Sequence, residues 1–553
     1  MVRSLFLVLT LLSSLSIQAQ TIGLFQNDSL SFNGYTLFTP STGSKAYLID
    51  NCGELINSWD TNYFPGLDVE LLPDGRLARA ARWNGSFNGG GVGGRIEIYN
   101  WEGDLEWGYI YANELVHQHH DFEILPNGNV LILAWEDKTD QEAINEGRIP
   151  ASIGQNGVWP DHLVEVEPFG INQGTIVWEW HIWDHLVQDY DPTKENYGVV
   201  ADHPELINVN YAVSTGSADW NHCNAIDYVE AFDQIVISSR NFDEFWVIDH
   251  STTTAEAAGH TGGQSGKGGD ILYRWGNPAA YNRGTINDKK LFGQHHVHYI
   301  EDGSPDAGKI IYYNNGTGRP DGLYSTVEIL DPPVDSEGNY TLNGDAPYGP
   351  ENVYWIYGSG GANQFFSQNV SGATQMPNGN VLICVGNPGR FFEVTLSGEK
   401  VWEYINPVEY DAPAEQGSNV AQNTVFRTYR YAPDFPAFDG KDLTPMGPLE
   451  LNPLPSDCMI YEEEMMAATA TPHFLEDVKL LTNPVSDELA LVNPAGRLLN
   501  TEILDLTGKL LFSGISSDQL VTFNVNTLGS GMYILRVTDK QKNLFTLIKL
   551  IKT

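Results

Sequence analysis

The sequence predicts an all-β protein, a six-bladed β-propeller followed by a small C-terminal β-sandwich. Three observations predict it: a recurring hairpin turn, a recurring aromatic strand, and a change of composition near Ala467. The turn reads Leu72-Pro73-Asp74-Gly75, then Leu125-Pro126-Asn127-Gly128-Asn129, then Met376-Pro377-Asn378-Gly379-Asn380. Its Asp-Gly and Asn-Gly pairs supply the positive φ angles of tight hairpins, and each is followed by a β-rich run such as Val130-Leu131-Ile132-Leu133. The strand follows a Gly-containing turn and carries Trp59, Trp107, Trp178 with Trp180, Trp275, and Trp402 with Tyr404; Val353–Tyr357 is a sixth copy without the leading turn. Six irregularly spaced units fit a propeller with insertions, with a stacked solenoid or paired sandwiches as the competing architecture. Few stretches carry helical periodicity, so an α/β enzyme fold is not expected.

The N-terminus places Arg3 before an apolar run from Leu5 to Leu12 and then small and polar residues to Gln20. This is the pattern of a signal peptide over 1–20. No later segment approaches the roughly 18 apolar residues of a spanning helix, so no integral membrane segment is expected. The propeller is assigned to 21–466 and the terminal β-domain to 473–553. Cys52 and Cys458 flank the body and are placed to tie its ends together, an option that export permits. Cys384 reads as a buried strand cysteine. A formal charge of −41 argues against nucleic acid and anionic membrane surfaces as partners.

Propellers bind ligands on the central axis, where the innermost strand of each blade contributes side chains. Counting back from hairpin Gly128 reaches His120 in Val116-His117-Gln118-His119-His120-Asp121, and the same count from Gly303 reaches His295 in Gly293-Gln294-His295-His296-Val297-His298. A third cluster is Asp219-Trp220-Asn221-His222-Cys223-Asn224. The Met376 unit offers Ser371 at this register, and the last unit offers Arg427, Tyr429 and Arg430. A lone strand histidine is ordinarily structural, but three clusters at matching positions point to a shared axial site. Gly89-x-Gly91-x-x-Gly94 fits a dinucleotide pattern without the βαβ context and is read as a glycine-rich loop. The glycine-rich stretch from His260 to Gly269 lacks the phosphate-loop pattern. No HExxH or complete calcium loop occurs, and no metal or cofactor is expected.

Two resemblances follow. The last 80 or so residues, with Asp505-Leu506-Thr507-Gly508-Lys509, Ser530-Gly531-Met532-Tyr533-Ile534-Leu535-Arg536-Val537 and a lysine-punctuated end, resemble the C-terminal sorting domain of the type IX secretion system of Bacteroidetes. That implies secretion or cell-surface display by way of the periplasm, with the type IX machinery as partner. The ordered set of the Asp219 cluster, Ile237-Ser238-Ser239-Arg240, Gln294-His295, Asn314-Asn315-Gly316-Thr317-Gly318-Arg319 and Tyr324-Ser325 resembles the arylsulfotransferase family over about residues 50–440. The resemblance implies sulfuryl transfer from an aryl sulfate to a phenol through a sulfohistidine, with no nucleotide donor. It assigns His222, His295 and Arg319 to the family's active-site histidines and arginine, with His120 added from the register. Asn224, Gln294, Arg240, Arg390 and Arg427 are the expected substrate-binding residues. The family's fifth-blade histidine is missing, because that stretch reads Gly386-Asn387-Pro388-Gly389-Arg390. Either His120 or His295 takes its role, or transfer is lost. A non-catalytic binding propeller therefore stays open, as does a metal protein using His117 with His119 or His296 with His298.

Imidazole can attack sulfur and protonate a departing phenolate, because its pKa lies near neutrality. Arginine can grip two sulfate oxygens with its planar fork.

Overall fold

A computed structural model describes residues 19–154, 157–212, 217–360, 364–461, 478–481, 483–494, 496–504, 510–526, 528–539 and 544–553. The signal peptide expected over 1–20 lies almost entirely outside the described residues, as does the Asp505–Lys509 part of the sorting motif. The protein is all-β, with two compact units over 1–462 and 463–553.

Unit one holds six antiparallel sheets of four or five strands. With the sheets ordered by their second strands along the chain, their innermost strands are Val425–Tyr431, Pro65–Leu71, Val116–Ile124, Cys223–Val229, His295–Tyr299 and Gly372–Gln375. The first sheet is completed from both chain ends, since Val425–Tyr431 pairs with Tyr35–Pro40. The innermost strands touch in cyclic order, each against the next, and Gly372–Gln375 returns to Val425–Tyr431. Apolar residues fill the space between successive sheets, as where Leu37 and Leu48 meet Val69 and Leu77, or Ile311 and Val327 meet Ile383 and Phe392.

Both sequence repeats have a structural meaning. The Pro-Asx-Gly turns join first and second strands, and Gly75, Gly128 and Gly379 adopt φ of 88°, 85° and 87°, the left-handed region that a Cβ disfavours. The aromatic strands are the fourth strands, and Trp59, Trp180 and Trp402 are fully buried between sheets. The two capped helices, Asp140–Asn145 and Thr254–Ala257, lie in insertions and start on Thr139 and Thr253 capping boxes.

Cys52 and Cys458 form a disulfide with Cα atoms 5.8 Å apart across 406 residues of sequence, while Cys223 and Cys384 are free and buried. Unit two has a three-stranded and a four-stranded antiparallel sheet that share one core, including Leu489, Leu491, Ile503, Val521, Leu535 and Leu550.

The disulfide closes nearly the whole of unit one, so it removes much freedom from the unfolded chain. The Cys52→Ser, Cys458→Ser pair of substitutions is expected to cost ~2–4 kcal/mol. A thermal melt of unit one unchanged by the double substitution contradicts that role.

Candidate active site

Three of the innermost strands bring histidines together through a shared backbone device. His120, His222 and His296 have φ of 53°, 49° and 52°, unusual for residues other than glycine. His120 and His296 lie at register breaks, between Gln118 and Phe122 and between His295 and His298, while His222 immediately precedes a strand that breaks register between Cys223 and Ala225. A bulge re-aims side chains that simple alternation would send to opposite faces. Such strain is held only where surrounding contacts over-determine it.

The result is a hydrogen-bonded chain. Asp161 Oδ1 lies 2.7 Å from His119 Nε2, and His119 Nδ1 lies 2.8 Å from His120 Nδ1. Asp161 Oδ2 accepts the Cys223 backbone N–H at 2.9 Å. His119 stacks on Trp135 at 3.9 Å, which fixes its ring plane. The His120 ring meets His222 edge-on at 4.8 Å, and His222 Nδ1 sits 2.5 Å from Asp219 Oδ2. Trp135 Nε1 donates to the other Asp219 oxygen at 3.0 Å. Phe426 lies beside both His120 and His295, with ring centres 5.9 and 6.3 Å away.

These contacts dictate tautomers. With Asp161 ionised, His119 donates from Nε2, its Nδ1 accepts from His120 Nδ1–H, and His120 Nε2 is left with a bare lone pair. Burial pushes the Asp161 carboxyl well above its usual range and pushes His119 and His120 well below theirs. The three residues form one hydrogen-bonded chain along which a proton added at His120 Nε2 can shift the inner protons and be taken up by Asp161. Burial alone would raise Asp219, but His222 and the Trp135 hydrogen bond bring it below the ordinary carboxylate value. Asp219 thus faces the His222 ring as a carboxylate.

His295 is differently placed. Its Nδ1 faces only acceptors, Asn315 Oδ1 at 2.7 Å and Gly293 O at 3.1 Å, so it carries the hydrogen. Its Nε2 accepts the Val370 N–H at 3.2 Å. Both nitrogens are engaged, and burial followed by the Arg240 charge holds this ring well below the usual imidazole range.

The remaining expected residues divide. Arg427 is buried, with its guanidinium on Asp121 at 3.1 and 3.3 Å, on the Asn224 carbonyl at 3.2 Å and near Asp68 at 3.5 Å. It ties the innermost strands of four sheets together beneath the histidines and is spoken for by carboxylates. Asn224 Nδ2 donates to the Gln294 carbonyl at 2.7 Å, while Gln294 Nε2 clamps Ser238, Ser239 and Glu244, so both side chains brace the backbone. Arg240 is half-buried and donates to Asn241 at 3.3 Å. Arg319 packs over Phe292 and Tyr324 and donates to Thr326 at 3.1 Å; none of these partners is a histidine. Arg390 is paired with Glu403 at 2.6 Å on a third strand, away from the innermost strands, so it does not stand in for the missing histidine. Among the described residues, neither His117 with His119 nor His296 with His298 gathers a third metal ligand.

Sequence reasoning passed over Asp161, took His119 only as a metal-ligand partner of His117, and read Gly89-x-Gly91 only as a glycine-rich loop. A Cβ on Gly91 would come within 2.1 Å of the His120 ring, and one on Gly90 within 3.1 Å of His222. The Gly91 carbonyl also accepts the His120 N–H at 2.9 Å. The glycines are there because bare backbone lies on the two imidazoles, a signal that the Gly89-x-Gly91 pattern carried without naming its target.

A family model described as arylsulfotransferase (ASST) matches residues 33–427. The chain belongs to the arylsulfotransferase family. Membership supports sulfuryl transfer as the general activity of unit one. A second model, the secretion system C-terminal sorting domain, matches 481–553 and points to secretion or a cell-surface location with the secretion machinery as partner. Among the described residues no helix is long and apolar enough to cross a membrane. Among curated proteins no sequence matches this arylsulfotransferase-family chain. Similar solved structures include a protein of unknown function from Bacteroides caccae, at TM-score 0.38 and 11% identity over 72% of this chain and 99% of that one. Another is a catalytically inactive virginiamycin B lyase from Staphylococcus aureus with quinupristin, at TM-score 0.31 and 10% identity over 71% and 91%.

Asp161→Asn tests the proton order. The Cys223 N–H keeps the amide oxygen on its own side, so the amide NH2 faces His119 Nε2 and reverses both tautomers, capping His120 Nε2 with hydrogen. The expected loss in kcat for aryl sulfate turnover is about 10²–10⁴-fold, with unchanged circular dichroism. In the parent protein activity is expected to rise with pH through a one-proton limb belonging to the three-residue chain, and the substitution should remove that limb. Near-parental kcat with the same pH profile contradicts the tautomer assignment.

Proposed function

We propose that the protein is a secreted arylsulfotransferase that moves a sulfuryl group from an aryl sulfate to a phenolic acceptor, with no nucleotide donor, through a sulfohistidine on His120. The six sheets are read as propeller blades around an axis, because their innermost strands meet in a closed order, and the two sheets of unit two as a β-sandwich. The terminal domain is read as a type IX tag, so the substrates are met outside the cell or at its surface. The single observation that carries the mechanism is the Asp161–His119–His120 chain beside the Asp219–His222 pair.

The lone pair on His120 Nε2 attacks sulfur as the sulfur–aryl oxygen bond breaks, and the phenolate leaves with a proton from His222. The acceptor phenol then returns a proton to His222, its oxygen attacks sulfur, and the nitrogen–sulfur bond breaks. Asp161 holds His119 in the tautomer that keeps His120 nucleophilic, the role of the buried carboxylate in a Ser-His-Asp triad. His295, with both nitrogens in use, orients the neighbouring loop, and of the two histidines that could take the nucleophile's role His120 is preferred. Arg240 supplies positive charge near the transferred group's oxygens.

A chromogenic aryl sulfate assayed with varied phenol should give parallel double-reciprocal lines, the signature of a covalent intermediate. His120→Ala should lower turnover by a factor on the order of 10⁴ or more, while His295→Gln keeps measurable turnover. Intersecting lines together with an active His120→Ala variant would favour direct transfer. Saturable binding of aryl sulfates with no turnover would favour the non-catalytic propeller.

A further inference from the structure

Outside the axial site, three side chains converge where the insertion of the fourth sheet meets the end of the third. His185 Nδ1 lies 2.9 Å from Asp270 Oδ1, and His260 Nδ1 lies 2.7 Å from the same oxygen. The ligand-capable atoms of His185, His260 and Asp270 all fall within 4.8 Å of one another. His185 is fully buried, Asp270 nearly so, and the His260 side chain is 59% exposed.

The tautomer of His185 decides what this cluster is for. Its Nε2 lies 2.8 Å from the Ala257 carbonyl, which only accepts, so Nε2 carries the hydrogen. A neutral His185 then presents a lone pair from Nδ1 toward a carboxylate oxygen, which is repulsive unless a proton or a metal cation bridges them. Donation of the distal ring N–H to a backbone carbonyl is how metal-ligating histidines are oriented. Trp180 stacks on the His185 ring at 5.7 Å and donates to the Gly269 carbonyl at 2.7 Å, holding ring and loop together. The loop is wound tightly on the histidine: a Cβ on Gly269 would lie 2.7 Å from His185 Nε2 and 2.0 Å from the Ala257 carbonyl.

We propose that His185 Nδ1, His260 Nδ1 and Asp270 bind a divalent zinc-class cation that clamps the 258–269 loop onto the third sheet. Two imidazoles and one carboxylate form a set suited to zinc and poor for magnesium or calcium, which prefer oxygen. The exposed His260 edge gives the ion its entry and leaves a coordination position for water. Gly262, Gly263, Gly266 and Gly268 all hold positive φ in this loop, so without a clamp it has much conformational freedom to lose. The site uses none of the axial histidines and stands apart from the sulfuryl-transfer reading.

The test uses the purified full chain, stripped with chelator and dialysed, then titrated calorimetrically with zinc chloride. One equivalent of saturable uptake is expected, together with at least tenfold slower tryptic cleavage after the exposed Lys267. Calcium and magnesium should give neither effect. His260→Ala, at an exposed position that the fold tolerates, should lose both the uptake and the protection, and Asp270→Asn should weaken both. Absence of saturable zinc uptake, or uptake and protection unchanged in His260→Ala, overturns the proposal and leaves an imidazolium–carboxylate cluster.

Discussion

The Asp161 carboxylate is the contact on which the rest of the site depends. It sits at the start of a third strand and grips two different innermost strands at once, through His119 Nε2 and the Cys223 backbone N–H. An unpaired buried carboxylate would cost several kcal/mol, so its survival at 1% exposure rests on those two hydrogen bonds. The same pair of bonds fixes the order of protons along the chain to His120. One buried acid therefore positions the strands and, when ionised, leaves His120 Nε2 without a hydrogen.

Beneath the histidines Arg427 works by a different rule. It comes from the strand that closes the first sheet and meets carboxylates from the second and third sheets and a carbonyl from the fourth. Burial alone would lower its pKa, but Asp121, then Tyr429 and Asp68, drive it well above the usual arginine value, so it stays charged and committed. An arginine used in this way cannot also wrap a sulfate. Substrate charge must be met by groups with donors to spare, and Arg240 is the candidate nearest His295. Where the family resemblance leads one to expect a histidine, Arg390 is paired with Glu403, and the proposed nucleophile therefore comes from another sheet.

Much of this was legible in the sequence, for local reasons. Hairpin glycines mark the junction of first and second strands, so counting back from Gly128 reached His120, and aromatic residues after glycine turns marked the fourth strands. The family-like Asp219–Asn224 and Gln294-His295 motifs located His222 and His295, and the distance between Cys52 and Cys458 suggested their bond. What stayed hidden depends on register and bulges. Alternation puts His119 and His120 on opposite faces, and only the left-handed φ at His120 lets the two rings meet. Asp161 lies 42 residues from His119 and reaches it by sheet pairing that no local pattern encodes. Arg427 and Arg319 looked alike as anion-binding arginines, because sequence does not show which guanidinium is already paired.

The central claim is that His120 Nε2 is the atom that carries the sulfuryl group. Protein exposed to an aryl sulfate without acceptor, quenched, digested and fragmented in the mass spectrometer locates that group directly. The increment is expected on His120, in the peptide containing Val116–Ile124, and should disappear when phenol is added before quenching. An increment on His295 or His222, with His120 unmodified, would contradict it.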